Sequence, residues 1–270
     1  MRIVSIDVGH KNLAWIIVEY NINFVYDNTI SKEKNKDVLF KQFVYFRDSG
    51  VIIDWRRSDL KCDSTSIKSI SHTMMHYIQS ELLSKYLVNE EVFYVIESQL
   101  RESTYNSSLE NTIKTVLSCS TLPKLTLGIM TLTSLFKFRS TMDLFDNIAQ
   151  QTLRPLLFEM PSGLAHNMKS ASQDRVVWLV KNIEKVSPEL LGKGFIPVNL
   201  ISWRNWLLEE PKLPDLCDCL IQFLSLFGDF SRKSEVIKMI IQTLIKKDSL
   251  IYKKRKMFHE DLPISLSINP

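Results

Sequence analysis

Two short apolar runs, Ile3-Val4-Ser5-Ile6 and Val92-Phe93-Tyr94-Val95-Ile96, each lead straight into a carboxylate, Asp7 and Glu97. Runs of this kind, rich in β-branched and aromatic residues and bounded by polar turn residues, read as strands. An acid at the end of such a run is costly unless it is paired, hydrogen-bonded or bound to a metal ion. Asp215 and Asp218 stand three residues apart in the apolar helical pattern Leu213-Pro214-Asp215-Leu216-Cys217-Asp218-Cys219-Leu220-Ile221, a spacing that sets both on one side of a helix. Taken singly, Asp7 also reads as a strand-end cap and Asp215 as a helix N-terminal acid; Glu97 and Asp218 have no such reading. Oxygen-only clusters suit Mg²⁺ or Mn²⁺, and two such ions clamping a phosphodiester recur in nucleic-acid cleavage. Asp7, Glu97, Asp215 and Asp218 together therefore point to a metal-dependent nuclease, if the fold brings them to one place.

The 270 residues can bury a substantial core. No run of about 18 uncharged apolar residues is present, so no membrane span is expected. With a strand expected from Arg2, no secretory or mitochondrial presequence is expected. Cys62, Cys119, Cys217 and Cys219 lack CxxC spacing and companion histidines, which fits reduced thiols in an intracellular protein. The net charge of +4 is mild, but basic residues concentrate between Arg232 and Lys256. Such a stretch suits phosphate contact and equally suits a solvated helix face.

Patterning predicts strands over 2–8, 12–20 and 38–46, an extended piece near 51–55, a loop over 27–36 and a strand over 92–97. Helices are predicted over 66–86, 104–120, 124–151 and 213–227, and from Ser172 and Ser231, with 153–160 extended. The sum is an α/β fold, a mixed central sheet with helices on its faces. The expected division is a domain over 1–230, with a helical insertion near 123–152, and a basic helical extension over 231–270.

Three segments carry a resemblance to a known family. Asp7-Val8-Gly9-His10-Lys11-Asn12, then Glu97-Ser98-Gln99-Leu100-Arg101, then Lys212-Leu213-Pro214-Asp215-Leu216-Cys217-Asp218 resemble, in order, the signatures of RuvC-like Holliday junction resolvases. The similarity is strongest to the poxvirus-type and fungal mitochondrial enzymes and runs, with gaps, from residue 1 to about 228. It implies an RNase H-like fold, a homodimer, two Mg²⁺ ions per active site (Mn²⁺ substituting), and paired nicks across four-way junction DNA. Asp7, Glu97, Asp215 and Asp218 match the family's metal-binding catalytic acids. Lys11, Gln99 and Arg101 fall beside them and are expected at the DNA, as are Lys169 and Arg175 in a segment similar to the family's basic loop and helix. The resemblance also places the dimer contact on the helix over 104–120. It favours the host cytoplasm, in a viral replication factory, with mitochondrion and nucleus left open. Ser98 stands where the viral and fungal enzymes usually carry Arg, Pro214 where another Asp is common, and Leu100 where bacterial members place an aromatic wedge, for which Tyr105 is a candidate substitute.

Other readings use the same residues. An RNase H-like nuclease acting on hybrids or other branched substrates needs identical acids, and a non-catalytic DNA-binding member would keep the fold without needing them. Actin-like ATPases share a D-x-G-x-x-N opening but add Gly-rich phosphate turns. Among this chain's seven glycines only Gly192-Lys193-Gly194 has that spacing. His72 and His76 have i, i+4 spacing but lack acid or Cys companions, and His10 beside Asp7 is a turn residue or a phosphate contact.

Overall fold

The computed structural model describes residues 1–9, 12–21, 27, 29–46, 50–60, 66–98, 104–133, 173–184, 197–211, 213–228 and 235–247. In chain order these form β1 (Arg2–Val8), β2 (Asn12–Glu19), α1 (Lys32–Phe46), β3 (Val51–Asp59) and α2 (Ile67–Tyr77, continued by a π-helical stretch Ile78–Leu83 and by Ser84–Tyr86). There follow β4 (Glu91–Ser98), α3 (Thr104–Cys119), β5 (Leu125–Thr133), α4 (173–184), α5 (Leu200–Glu209), α6 (Leu213–Gly228) and α7 (235–247). Among the described residues no helix is long and apolar enough to cross a membrane.

The strands make one five-stranded sheet in the order β3-β2-β1-β4-β5. β2 runs antiparallel to β1 and β3, whereas β4 lies parallel to β1 and β5 parallel to β4. Central β1 has helices on both faces, which is why its run is apolar without alternation. Ile3, Ala14, Ile16, Phe93 and Val95 enter a core shared with α4, α6 and α7. Val4, Ile6, Trp15, Tyr94 and Ile96 enter a second core closed by α2 and α3. This is the α/β arrangement expected from the sequence: a mixed sheet flanked by helices.

Three local expectations are corrected. Residues 38–46 are not a strand; they are the later part of α1. Ser31 Oγ accepts from Lys34 N at 3.2 Å as an N-cap, and buried Asn35 donates to Asp27 O at 2.7 Å, so the polar stretch expected to be a loop holds the helix start. The helical expectation for 124–151 is corrected over Leu125–Thr133, which is strand β5; residues 134–151 and 153–160 lie outside the described residues.

Both edge strands are bulged, and this shifts which residues face the α6 side. On β5 the pairing steps from Val92↔Thr126 to Phe93↔Gly128, leaving Leu127 as the extra residue. Leu127, Met130 and Leu132 consequently share one core, and the spacing of three imitates a helix. Gly128 is needed here, since a Cβ would lie 2.8 Å from the Phe93 ring. On β3 the pairing steps from Ile17↔Asp54 to Val18↔Ile52, leaving Ile53 extra. Ile52 and Trp55 therefore reach the same core, and Arg57 rather than Arg56 faces α6.

The open edge of β3 is covered by a side chain. Asn199 donates from Nδ2 to Ile52 O and accepts from Ile52 N at Oδ1, both at 2.8 Å, as a further strand would. Asn199→Ala is expected to cost about 1–3 kcal/mol. Urea unfolding should then show a lower midpoint with an unchanged m-value; an unmoved midpoint would mean that solvent satisfies this edge equally well.

Candidate active site

Strand parity and register bring two of the acids together. Asp7 follows Ile3 and Ser5 on the α6 side of β1, and Glu97 follows Phe93 and Val95 on the same side of β4. The β1–β4 pairing runs to Ile6↔Ile96, so Asp7 and Glu97 come next, abreast at the C-terminal ends of neighbouring parallel strands. Adjacent strands are about 4.8 Å apart. The same row continues through Asp7↔Ala14 and Ala14↔Arg57, giving the order Arg57, Ala14, Asp7, Glu97 across four strands. Crevices beyond the carboxyl ends of parallel strands are where such sheets bind ligands.

Helix α6 is laid over this row by polar contacts. Trp55 Nε1 donates to Leu216 O at 3.2 Å and Ser5 Oγ donates to Cys219 O at 2.9 Å. Gln222 Nε2 donates to Val95 O at 2.7 Å and to Ile6 O at 3.2 Å. The helix thus starts over β3, passes β1 and reaches β4, with Asp215 and Asp218 in its first turns. Pro214 is tolerated because a first-turn N–H has no intrahelical partner. Gln222 ties this helix to the residue before Asp7 and to β4 two residues before Glu97. Its buried Oε1 finds no partner among the described residues.

The helical acids differ in setting. Asp218 is only 2% exposed, and Gln173 Nε2 on α4 donates to its Oδ1 at 2.7 Å. Asp215, with 30% of its side chain exposed, accepts at Oδ2 from Arg57 Nε at 2.9 Å and from Asn12 Nδ2. Asn12 is delivered by a tight turn in which Gly9 N donates to Asn12 O at 2.9 Å. A Cβ at Gly9 would stand 2.5 Å from Asn12 Oδ1 and 2.9 Å from Asn12 O, so glycine alone fits without a shift. Between the two acids, burial and then the charge of Asp218 push the Cys217 thiol up to about 12, so near neutral pH it is a packed thiol and not a nucleophile.

The chemistry of the donor set suits a hard divalent ion: four carboxylates at one end of one sheet face, without histidine or thiolate. Among the described residues, however, no three His, Cys, Asp or Glu side chains are gathered into an ion-binding group. Asp215 is turned to Arg57 and Asn12, and Asp218 to Gln173.

Of the expected DNA contacts, Lys11, Gln99, Arg101 and Lys169 lie outside the described residues, as do His10 and Leu100. Arg175 is on α4 and only 5% exposed, which sets it inside the fold and not on an open face. Tyr105 falls in the first turn of α3. Sequence reasoning gave no role to Asn12, Arg57, Gln173 or Gln222. Asn12 was within reach as the last residue of the first motif. Arg57 was not, because simple alternation from Ile52 puts Arg56 on its face.

No protein-family model matches the chain, and no curated protein is found to be similar to it. Solved structures similar to it include T. thermophilus RuvC in complex with a Holliday junction substrate, 10% identical with a TM-score of 0.41, covering 84% of this chain and 94% of that one. Fowlpox virus resolvase in complex with Holliday junction DNA is 16% identical with a TM-score of 0.39, covering 83% and 95%. A further Thermus thermophilus RuvC structure is 11% identical with a TM-score of 0.40, covering 86% and 96%.

Proposed function

We propose that this chain is a structure-specific DNA endonuclease that resolves four-way junctions by paired, metal-dependent nicks. What supports the reading is that Asp7 and Glu97 end neighbouring parallel strands and that Asp215 and Asp218 begin the helix packed over that face, in the order of the three sequence motifs. Asp7 and Glu97, on neighbouring strand ends, and Asp215 and Asp218, on α6, would hold two Mg²⁺ or Mn²⁺ ions. Bound there, such ions supply an activated water and stabilise charge on the leaving 3′ oxygen. The protein's own part is to fix these carboxylates on a rigid sheet and helix, with Gln222 and Trp55 setting the distance between them. Lys11, Gln99, Arg101 and Lys169 are assigned to the scissile strand and its neighbours through the motif resemblance. The products would carry a 5′ phosphate and a 3′ hydroxyl.

Two copies acting together would match the twofold symmetry of a junction. The apolar stripe of α3, Leu109, Ile113, Val116 and Leu117, is committed to the core, leaving Asn111, Thr115 and Ser118 on its outer side. A dimer through α3 would therefore use a polar surface.

The test is cleavage of a mobile four-way junction, an RNA–DNA hybrid and a linear duplex, each with and without Mg²⁺. Symmetric nicks near the branch point, in the junction only and with Mg²⁺ only, are expected. Preferential cleavage of the hybrid would reassign the same acids to an RNase H-like activity. Junction binding without nicking under any ion would leave a binding protein. The basic stretch gives a further prediction. Replacing Lys253, Lys254, Arg255 and Lys256 by Ala should flatten the dependence of log K on log salt by up to about 0.9 for each phosphate that is no longer neutralised. An unchanged slope would assign these residues another task.

A further inference from the structure

Among the described residues, Arg57 is a charged group at this site that the proposed chemistry does not use. Its side chain is 7% exposed, and it lies in the same row as Asp7 and Glu97 with only the methyl group of Ala14 between Arg57 and Asp7. Its Nε donates to Asp215 Oδ2 at 2.9 Å, and its Nη2 pairs with Asp59. A β-bulge at Ile53 is what brings this residue, and not Arg56, to the α6 face. A nearly buried guanidinium placed against a carboxylate set is a strong, directional counter-ion. Pulling it from its partner leaves an uncompensated charge in a poorly solvated place.

From this geometry we infer that Arg57 is the resident counter-ion of the carboxylate set, and that a divalent ion reaches Asp215 by exchange with its guanidinium. The inference rests on the metal-site reading above and adds a determinant to it. Asp215 is held in place before any ion arrives, and loading is weak because the guanidinium and the ion compete for one oxygen. Asn12, the other donor to Asp215 Oδ2, is neutral and fixes that oxygen without opposing an ion. Asp59, whose side chain is 62% exposed, remains as a partner for the displaced guanidinium.

The experiment is Mn²⁺ binding to the DNA-free protein, followed by electron paramagnetic resonance, for the wild type, Arg57→Gln, Arg57→Lys and Asp218→Asn. Arg57→Gln should bind Mn²⁺ roughly tenfold or more tightly than the wild type, Arg57→Lys should stay near it, and Asp218→Asn should lose binding. Equal or weaker binding by Arg57→Gln, with Asp218→Asn still losing it, overturns the role of Arg57 and leaves the metal site standing. No binding by any of the four proteins overturns both. Should Arg57→Gln fail to fold, the wild type answers through the Nε–Hε resonance of Arg57, which should shift as Mg²⁺ is added. A resonance unmoved at saturating Mg²⁺ overturns the exchange.

Discussion

Asp7→Asn and Asp218→Asn should each lower junction cleavage by about a thousandfold or more, on the order of 4 kcal/mol of transition-state stabilisation, while junction affinity stays near the wild-type value. The reason is positional. Asp7 is the acid nearest the centre of the row, flanked by Glu97 on one strand and by Ala14 and then Arg57 on the other side. Asp218 is almost wholly buried on a helix that cannot move away, because Ser5 and Gln222 hold it to β1 and β4. Asparagine keeps the size of each side chain and removes the negative charge that an ion needs. DNA affinity, by contrast, comes from basic groups and their counterions, which these substitutions leave alone. Affinity is to be measured in EDTA and cleavage in Mg²⁺. Wild-type nicking by either variant would remove that residue from the site.

Trp55→Ala should destabilise the fold by about 3–5 kcal/mol. For a chain of this size that is a fall of roughly 10 °C in Tm, taking about 2–4 °C per kcal/mol. Trp55 is 1% exposed and does two jobs. Its ring fills the core beneath the start of α6, and its Nε1 donates to Leu216 O, between the two helical acids. Trp55→Phe keeps most of the ring and loses the hydrogen bond, so it should cost only about 1 kcal/mol. If the helix start is what matters to chemistry, Trp55→Phe should lower cleavage by more than its small stability loss explains. Equal thermal stability for Trp55→Ala and the wild type would mean that α6 is anchored elsewhere.

The centre of this fold could be read from the amino acids; at its edges the extended piece near 51–55 was legible, but strand β5 and the faces of Arg56 and Arg57 were not. β1, β4 and α6 announce themselves because each is buried and apolar, with one kind of exception, a carboxylate that burial makes expensive. Those exceptions are the candidate site, so the centre of the fold and the candidate site were legible from the same residues. The edges failed for a physical cause. On β5 the bulge at Leu127 converts an alternating strand into a spacing of three, and the pattern imitates a helix. On β3 the bulge at Ile53 exchanges the faces of Arg56 and Arg57, which hid the cation at the site. Residues 38–46 have strand-like content, but the cap at Ser31 and the buried Asn35 start a helix upstream that runs through them. Register set by distant strands decided the two bulged strands, and a cap upstream of the strand-like stretch decided α1.

The most direct measurement is the position of Mn²⁺ in crystals of the protein, located by anomalous scattering. Two peaks are expected among the carboxylates of Asp7, Glu97, Asp215 and Asp218, with the Arg57 guanidinium withdrawn from Asp215. Mn²⁺ bound only at other residues, or these four carboxylates without an ion at saturating Mn²⁺, would contradict a two-ion nuclease site at this end of the sheet.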